Sequence, residues 1–301
     1  MKVFLTGGTG YVGAHLTRAL VARGHHVTLL ARDPRKIPSF VGAEGISLLE
    51  GDLRDRDGLF AALPGHDALI HNALVWDEEP TELELVDPRF AIGVFLAAQR
   101  AGLRRLVYTS STAVHQPFRP VMTAEDALRP GDFYGVSKAA GELALWAVAQ
   151  THDLSATVIR PGPVVGAPAS EGAPFKSDRR FEDFLRKARR GDRIVVARND
   201  GRQFIGAADL AEVYAAALAV DAGRETFLAV SRDFVTWEEI AREIVRQVGS
   251  GEVVVEDTGL LPSPFSFDTG KLERTFSLAF TARGALTEHI AHLARTTPRT
   301  E

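Results

Sequence analysis

The chain has 301 residues, 45% of them hydrophobic and 25% charged, with 27 Gly, 15 Pro and no Cys. That composition excludes disordered, fibrous and disulfide-framed classes, and with them any thiolate or Cys-ligated metal chemistry. A formal net charge of −4 lacks the basic footprint of a nucleic-acid binder, and the longest apolar runs, 143–149 and 213–220, fall far short of the roughly 18 residues that cross a bilayer. The expectation is a cytoplasmic enzyme acting on a small molecule, because the strand-like start at Lys2 also leaves no room for an export signal.

In chain order, β-type runs alternate with helical patterns. A strand over Val3–Thr6 precedes a helix over Tyr11–Arg23, whose Val12, Leu16, Ala19 and Leu20 recur at helical spacing. Further strands are expected at Val27–Leu30, Ile46–Leu49, Ala68–His71, Leu106–Thr109 and Ala156–Ile159, with helices at Arg56–Leu63, Arg89–Ala101 and Tyr134–Thr151 between them. Such alternation implies right-handed crossovers and a parallel sheet covered on both faces, the doubly wound α/β (Rossmann) class. From Pro161 to Pro174 the chain is too dense in Pro and Gly for a helix or central strand, so a long loop is expected there. Beyond it come a basic helix (Phe181–Arg190), a strand (Ile194–Val196), helices at Ala208–Val220 and Trp237–Val248, a short strand (Val253–Val255) and a frayed polar tail from Arg295. The division implied is a dinucleotide-binding core over 1–160 and a smaller substrate-binding lobe over 161–301, with elements returning to the core.

Thr6-Gly-Gly-Thr-Gly-Tyr-Val-Gly13 lies between the first strand and first helix, where a phosphate-binding turn belongs. Gly7, Gly10 and Gly13 would serve the tight turn, the approach of a pyrophosphate and the helix–strand contact respectively. An acid at the end of the second strand would hold the adenosine ribose; Ala31 and Arg32 stand there instead, which favours NADP over NAD, with Asp33 next door the alternative ribose partner. Gly51-Asp52-Leu53 follows the third strand, either framing adenine or serving as a surface turn. Tyr134 and Lys138 share one helix face at i, i+4, and Ser111 ends a strand 23 residues before Tyr134. A phenol working near neutral pH needs about 4 kcal/mol of help at roughly 1.36 per unit. A cation at about 4 Å in an effective dielectric near 20 supplies that order of energy. Tyr134 is thus the candidate acid/base, Lys138 its electrostatic partner and Ser111 the donor to the reacting oxygen.

These segments, together with Asn72-Ala73, Arg160-Pro161-Gly162, Phe204-Ile205 and Asp209-Leu210-Ala211, resemble the extended short-chain dehydrogenase/reductases, the NAD-dependent epimerase/dehydratase family. The resemblance implies Ser111, Tyr134 and Lys138 as catalytic residues. It also implies a dinucleotide site that adds Tyr11, Val12, Leu53, Asn72, Ala73 and Pro161, with Lys138 on the nicotinamide ribose and Tyr134 beside it. It implies oxidoreduction, epimerisation or dehydration at a carbinol/ketone carbon, with Arg202 meeting the substrate, and a homodimer through the helices that hold 89–101 and 134–151. Three positions depart from the family pattern: Asp87 stands where Asn is usual, His115-Gln116 where Tyr-Gly is, and Pro163 where Asn is. The last weakens the case for a nucleotide sugar and favours a non-sugar ketone or aldehyde. His115 is either a substrate donor, a second acid or a structural histidine. The basic cluster from Arg179 to Arg193 is either a solvated helix face or a site for an anionic substrate, and the isolated His25-His26 pair suggests no metal.

Overall fold

The computed structural model describes residues 1–74, 83–170 and 172–298. Seven parallel strands form the central sheet. In chain order they are β1 (Lys2–Thr6), β2 (His26–Ala31), β3 (Ile46–Glu50), β4 (Ala68–His71), β5 (Arg105–Thr109), Ser155–Pro161 and Arg224–Ala229. Across the sheet the order is Arg224–Ala229, Ser155–Pro161, β5, β4, β1, β2, β3, so the sequence direction reverses between β1 and β4. Ligands of such sheets bind outside the strand carboxyl ends at that reversal.

Alternation along each strand assigns its side chains to two cores. Val3 and Leu5 of β1 join Leu29, Ile70, Ile159 and Phe227 beneath α1 (Tyr11–Ala22), which contributes Leu16 and Leu20. Phe4 points the other way, with Leu69, Leu106 and Tyr108, toward α2 (Arg56–Ala62), α3 (Leu83–Arg100) and α4 (Phe133–His152). Burial on both faces is why these strands read as continuous apolar runs. After α5 (Arg179–Arg190), α6 (Ala207–Ala219) returns to the first core with Leu210, Val213, Tyr214 and Leu218. A separate core of Phe181, Phe184, Phe204, Trp237, Ile240, Ile244, Leu286 and Ile290 gathers α5, α7 (Trp237–Val248) and α8 (Arg283–Thr296).

Several features differ from the sequence reading. Pro161 closes a strand rather than opening the loop, which a proline tolerates at a strand end. Inside the expected loop, Val164–Val165 pairs in parallel with Ile205–Gly206. The edge strand Arg224–Ala229 begins with Arg224, Glu225 and Thr226, and so carries no apolar pattern at its start. Finally, α8 runs to Thr296, so Arg295 is helical rather than part of a tail, while 299–301 lie outside the described residues.

Candidate active site

The strand ends open into a cavity of about 680 Å³, walled in part by Gly7, Gly10, Tyr11, Val12, Arg32, Asp52, Leu53, Asn72, Ala73, Ser111, Tyr134, Lys138, Pro161 and Arg202. The glycines divide their work. Gly7 has φ +72°, and a Cβ on it would lie 2.6 Å from the Ala73 nitrogen; one on Gly13 would lie 1.9 Å from the Gly7 carbonyl oxygen. At Gly10 a Cβ meets only that carbonyl, at 3.2 Å, and the position borders the cavity. Gly7 and Gly13 therefore permit the turn, while Gly10 keeps space for a ligand. Because α1 starts without a side-chain cap, the first-turn N–H groups beside Tyr11 and Val12 lack helical acceptors and suit a pyrophosphate. The cradle fits a dinucleotide.

At the adenosine end, Asp33 caps the short 3₁₀ turn that follows β2 and pairs with Arg35 (Oδ1 to Nε 2.9 Å). The Arg35 hydrogen bonds hold the Asp33 carboxyl below the usual carboxylate range. Arg32 is exposed on the cavity wall. Asp52 accepts from the Arg54 backbone N–H at 2.9 Å beside it.

At the other end, Asp132 caps α4 by accepting from the Gly135 N–H at 2.6 Å, which sets the first helical turn under Tyr134. One turn on, the Lys138 Nζ lies 6.0 Å from the Tyr134 ring centre and 5.4 Å from that of Tyr108. Ser111 caps the 3₁₀ turn Thr112–His115, its Oγ accepting from the Ala113 N–H at 3.1 Å. Lys138 is 3% exposed. Burial pulls its ammonium pKa down, but Tyr108, Asp87 and Tyr134 more than reverse this and leave it above the ordinary lysine value.

Behind these residues runs a buried charge network. Arg160 clamps Glu142 through Nε (2.9 Å) and Nη2 (2.7 Å), and its Nη1 donates to the Ala124 carbonyl and His115 Nε2, each at 3.0 Å. Ser110 donates to the same Glu142 carboxylate. Burial, then the Arg160 charge, hold the His115 pKa down at about 4, which keeps the ring a neutral acceptor near pH 7. Arg160→Met should cost about 3–5 kcal/mol in urea unfolding, because it strands a buried carboxylate. Glu142→Leu/Arg160→Met should recover most of that, and equal losses in both variants would contradict it.

The family-level comparison agrees with this geometry. The NAD dependent epimerase/dehydratase family matches the chain over residues 3–229. The chain belongs to that family. Among curated members, it is 32% identical over 179 residues to the 3 beta-hydroxysteroid dehydrogenase/Delta 5-->4-isomerase of Mycobacterium tuberculosis, which is 55% of this chain and 47% of that protein. It is also 32% identical over 198 residues to the 2-alkyl-3-oxoalkanoate reductase of Stenotrophomonas maltophilia, 62% of this chain and 58% of the other. The aligned region thus spans about half the length of these relatives. Among solved structures, the UDP-glucuronic acid 4-epimerase of Bacillus cereus in complex with NAD superposes with TM-score 0.81 at 16% identity, over 98% of this chain and 99% of that one. DesIV, a dTDP-glucose 4,6-dehydratase of Streptomyces venezuelae, gives 0.78 at 20% identity, over 98% of each. At such identities the likeness is one of fold.

Two positions expected at the site do not line the cavity. Gly13 is absent from the cavity wall, being packed against the turn itself. His115 is buried in the Arg160 network and is also absent from that wall, so the structural alternative fits its place better than a substrate contact. The wall instead includes Phe118, Phe265, Phe267 and Gln203, which sequence patterning does not mark. Gln203 is committed, accepting from the Phe267 N–H at 2.6 Å and donating to the Ser231 carbonyl at 3.0 Å. The basic residues of α5 are largely matched, Arg186 and Lys187 by Asp183 and Arg190 by Asp192, and none borders the cavity.

Proposed function

We propose that the protein is an NAD(P)-dependent oxidoreductase, moving hydride at a carbinol or ketone carbon. One observation carries this reading: Ser111, Tyr134 and Lys138 border the same cavity as the glycine turn. Bound along that wall, the nicotinamide supplies the hydride donor or acceptor. Tyr134 gives or takes the proton at the substrate oxygen, Ser111 donates a hydrogen bond to that oxygen, and Lys138 holds positive charge beside the phenol and the cofactor ribose. The smaller lobe over 161–301 holds the substrate. Reduced-cofactor binding followed by fluorescence, then turnover of a carbonyl panel, tests the reading; a folded protein that binds neither NADH nor NADPH would refute it.

NADP is the preferred form in this proposal, since Asp33 is occupied by Arg35 while Arg32 borders the cavity. Arg32→Ala should weaken NADPH binding roughly 10- to 100-fold with little change for NADH. An unchanged ratio would assign the preference elsewhere.

For the substrate, Phe118, Phe265, Phe267 and Pro163 on the wall favour an apolar ketone or aldehyde, in keeping with a relative named a 2-alkyl-3-oxoalkanoate reductase. The nucleotide-sugar reading rests on Arg202, also on the wall, although Asp200 (3.1 Å) and the Gly201 carbonyl (2.6 Å) already engage its guanidinium. Turnover of 2-alkyl-3-oxo acids but not UDP-sugars separates the two. A homodimer through α3 and α4 is part of the proposal, because Ile92, Val136 and Leu143 lie exposed on these helices; a monomeric mass by light scattering would remove it. The cytoplasm, where NADP is recycled, is the proposed location. Among the described residues no helix is long and apolar enough to cross a membrane.

A further inference from the structure

The Lys138 ammonium is nearly sealed from water. Beside it lie Tyr134 and Tyr108, and burial pushes the Tyr108 phenol up to about 12, so that one is neutral near pH 7. His71, wholly buried and stacked on Tyr108, has its pKa lowered to about 3 by burial and then by the Lys138 charge, so it is neutral as well. Glu142, on the next turn of α4, is neutralised by the bidentate Arg160. Among the described residues, the remaining charged neighbour is Asp87 of α3. Its carboxylate is 3.6 Å from the Lys138 Nζ, with the two side chains 1% and 3% exposed.

A lone ammonium in such a place would be costly and would tend to shed its proton, whereas a close carboxylate keeps it charged. Asn, the residue usual at this position, would supply a dipole but no charge. We propose that Asp87 is a positioning residue of this site, the buried counter-ion that keeps Lys138 charged and fixed beside Tyr134. The role rests on the reading of Lys138 as part of the active site, but the pairing can be tested without turnover.

The chain has six lysines, so in protein labelled with ¹⁵N-lysine the Lys138 Nζ signal is assignable through its loss in Lys138→Met. In the wild type that signal should remain protonated to the alkaline limit of the fold. In Asp87→Asn it should titrate at least about one pH unit lower, and Asp87→Glu should restore it toward the wild-type position. NADPH affinity of Asp87→Asn should fall over the same pH range in which Lys138 loses its charge. An unshifted Lys138 titration in folded Asp87→Asn would overturn the proposal. Should Asp87→Asn fail to fold, thermal unfolding of Lys138→Met, Asp87→Leu and their double variant gives a second reading. The double should be more stable than either single, since each single strands one buried charge; additive losses would overturn the pairing. A wild type that binds no NADPH but shows the expected Lys138 shift would instead count against the oxidoreductase reading and leave the ion pair standing.

Discussion

Tyr134→Phe should cut turnover by a factor of about 10² to 10⁴, the span for losing a positioned acid/base, while NADPH affinity stays near the wild-type value. The substitution removes one hydroxyl from a cavity wall and leaves the ring, the Asp132 cap and the Lys138–Asp87 pair in place. Ser111→Ala should act on turnover in the same direction, because it removes the second donor to the oxygen where charge develops. Single-turnover rates with any carbonyl compound the wild type reduces would measure both. Full activity in Tyr134→Phe would mean that another group manages the proton.

The second large effect concerns the turn. Gly10→Val should abolish detectable dinucleotide binding in a protein that still folds, because the new side chain meets little of the protein and projects where the cavity lies. Gly13→Ala should behave differently. Its Cβ would sit 1.9 Å from the Gly7 carbonyl oxygen, a contact that only backbone movement relieves, so stability should fall along with binding. Circular dichroism melts beside fluorescence titrations would separate the two variants. A destabilised Gly10→Val, or a Gly13→Ala as stable as the wild type, would show that the roles of the two glycines have been misassigned.

Much of this architecture is legible from local pattern. The glycine spacing and the i, i+4 relation of Tyr134 to Lys138 are local properties, and strands buried on both faces announce themselves as apolar runs. Contacts between distant segments were not legible. Pro88 suggests that a helix begins after it, yet α3 runs from Leu83 through that proline, and only this extension brings Asp87 opposite Lys138. Glu142 continues the Tyr134–Lys138 face by one more turn and could have been marked as buried. Its partner Arg160, however, lies on the strand Ser155–Pro161, and nothing in the spacing ties it to His115. The aromatic wall has the same character: Phe118 and Phe265 are far apart in the chain but have ring centres 4.7 Å apart.

The path of the chain through the sheet also governs how parts could be exchanged between relatives. A single junction at residue 160 would carry Arg224–Ala229 and α6 away with the distal half, and would ask a foreign pair to dock on Ser155–Pro161 and α1. Those two interfaces run through the middle of the first core, where Phe227, Leu210, Val213 and Tyr214 interleave with Leu16, Leu20 and Ile159. A graft that respects the packing therefore needs more than one crossover. It would leave 207–229 with the host and transplant the stretches on either side, 162–206 and 230–298, so that the cavity's distal wall is replaced while the sheet keeps its own edge strand.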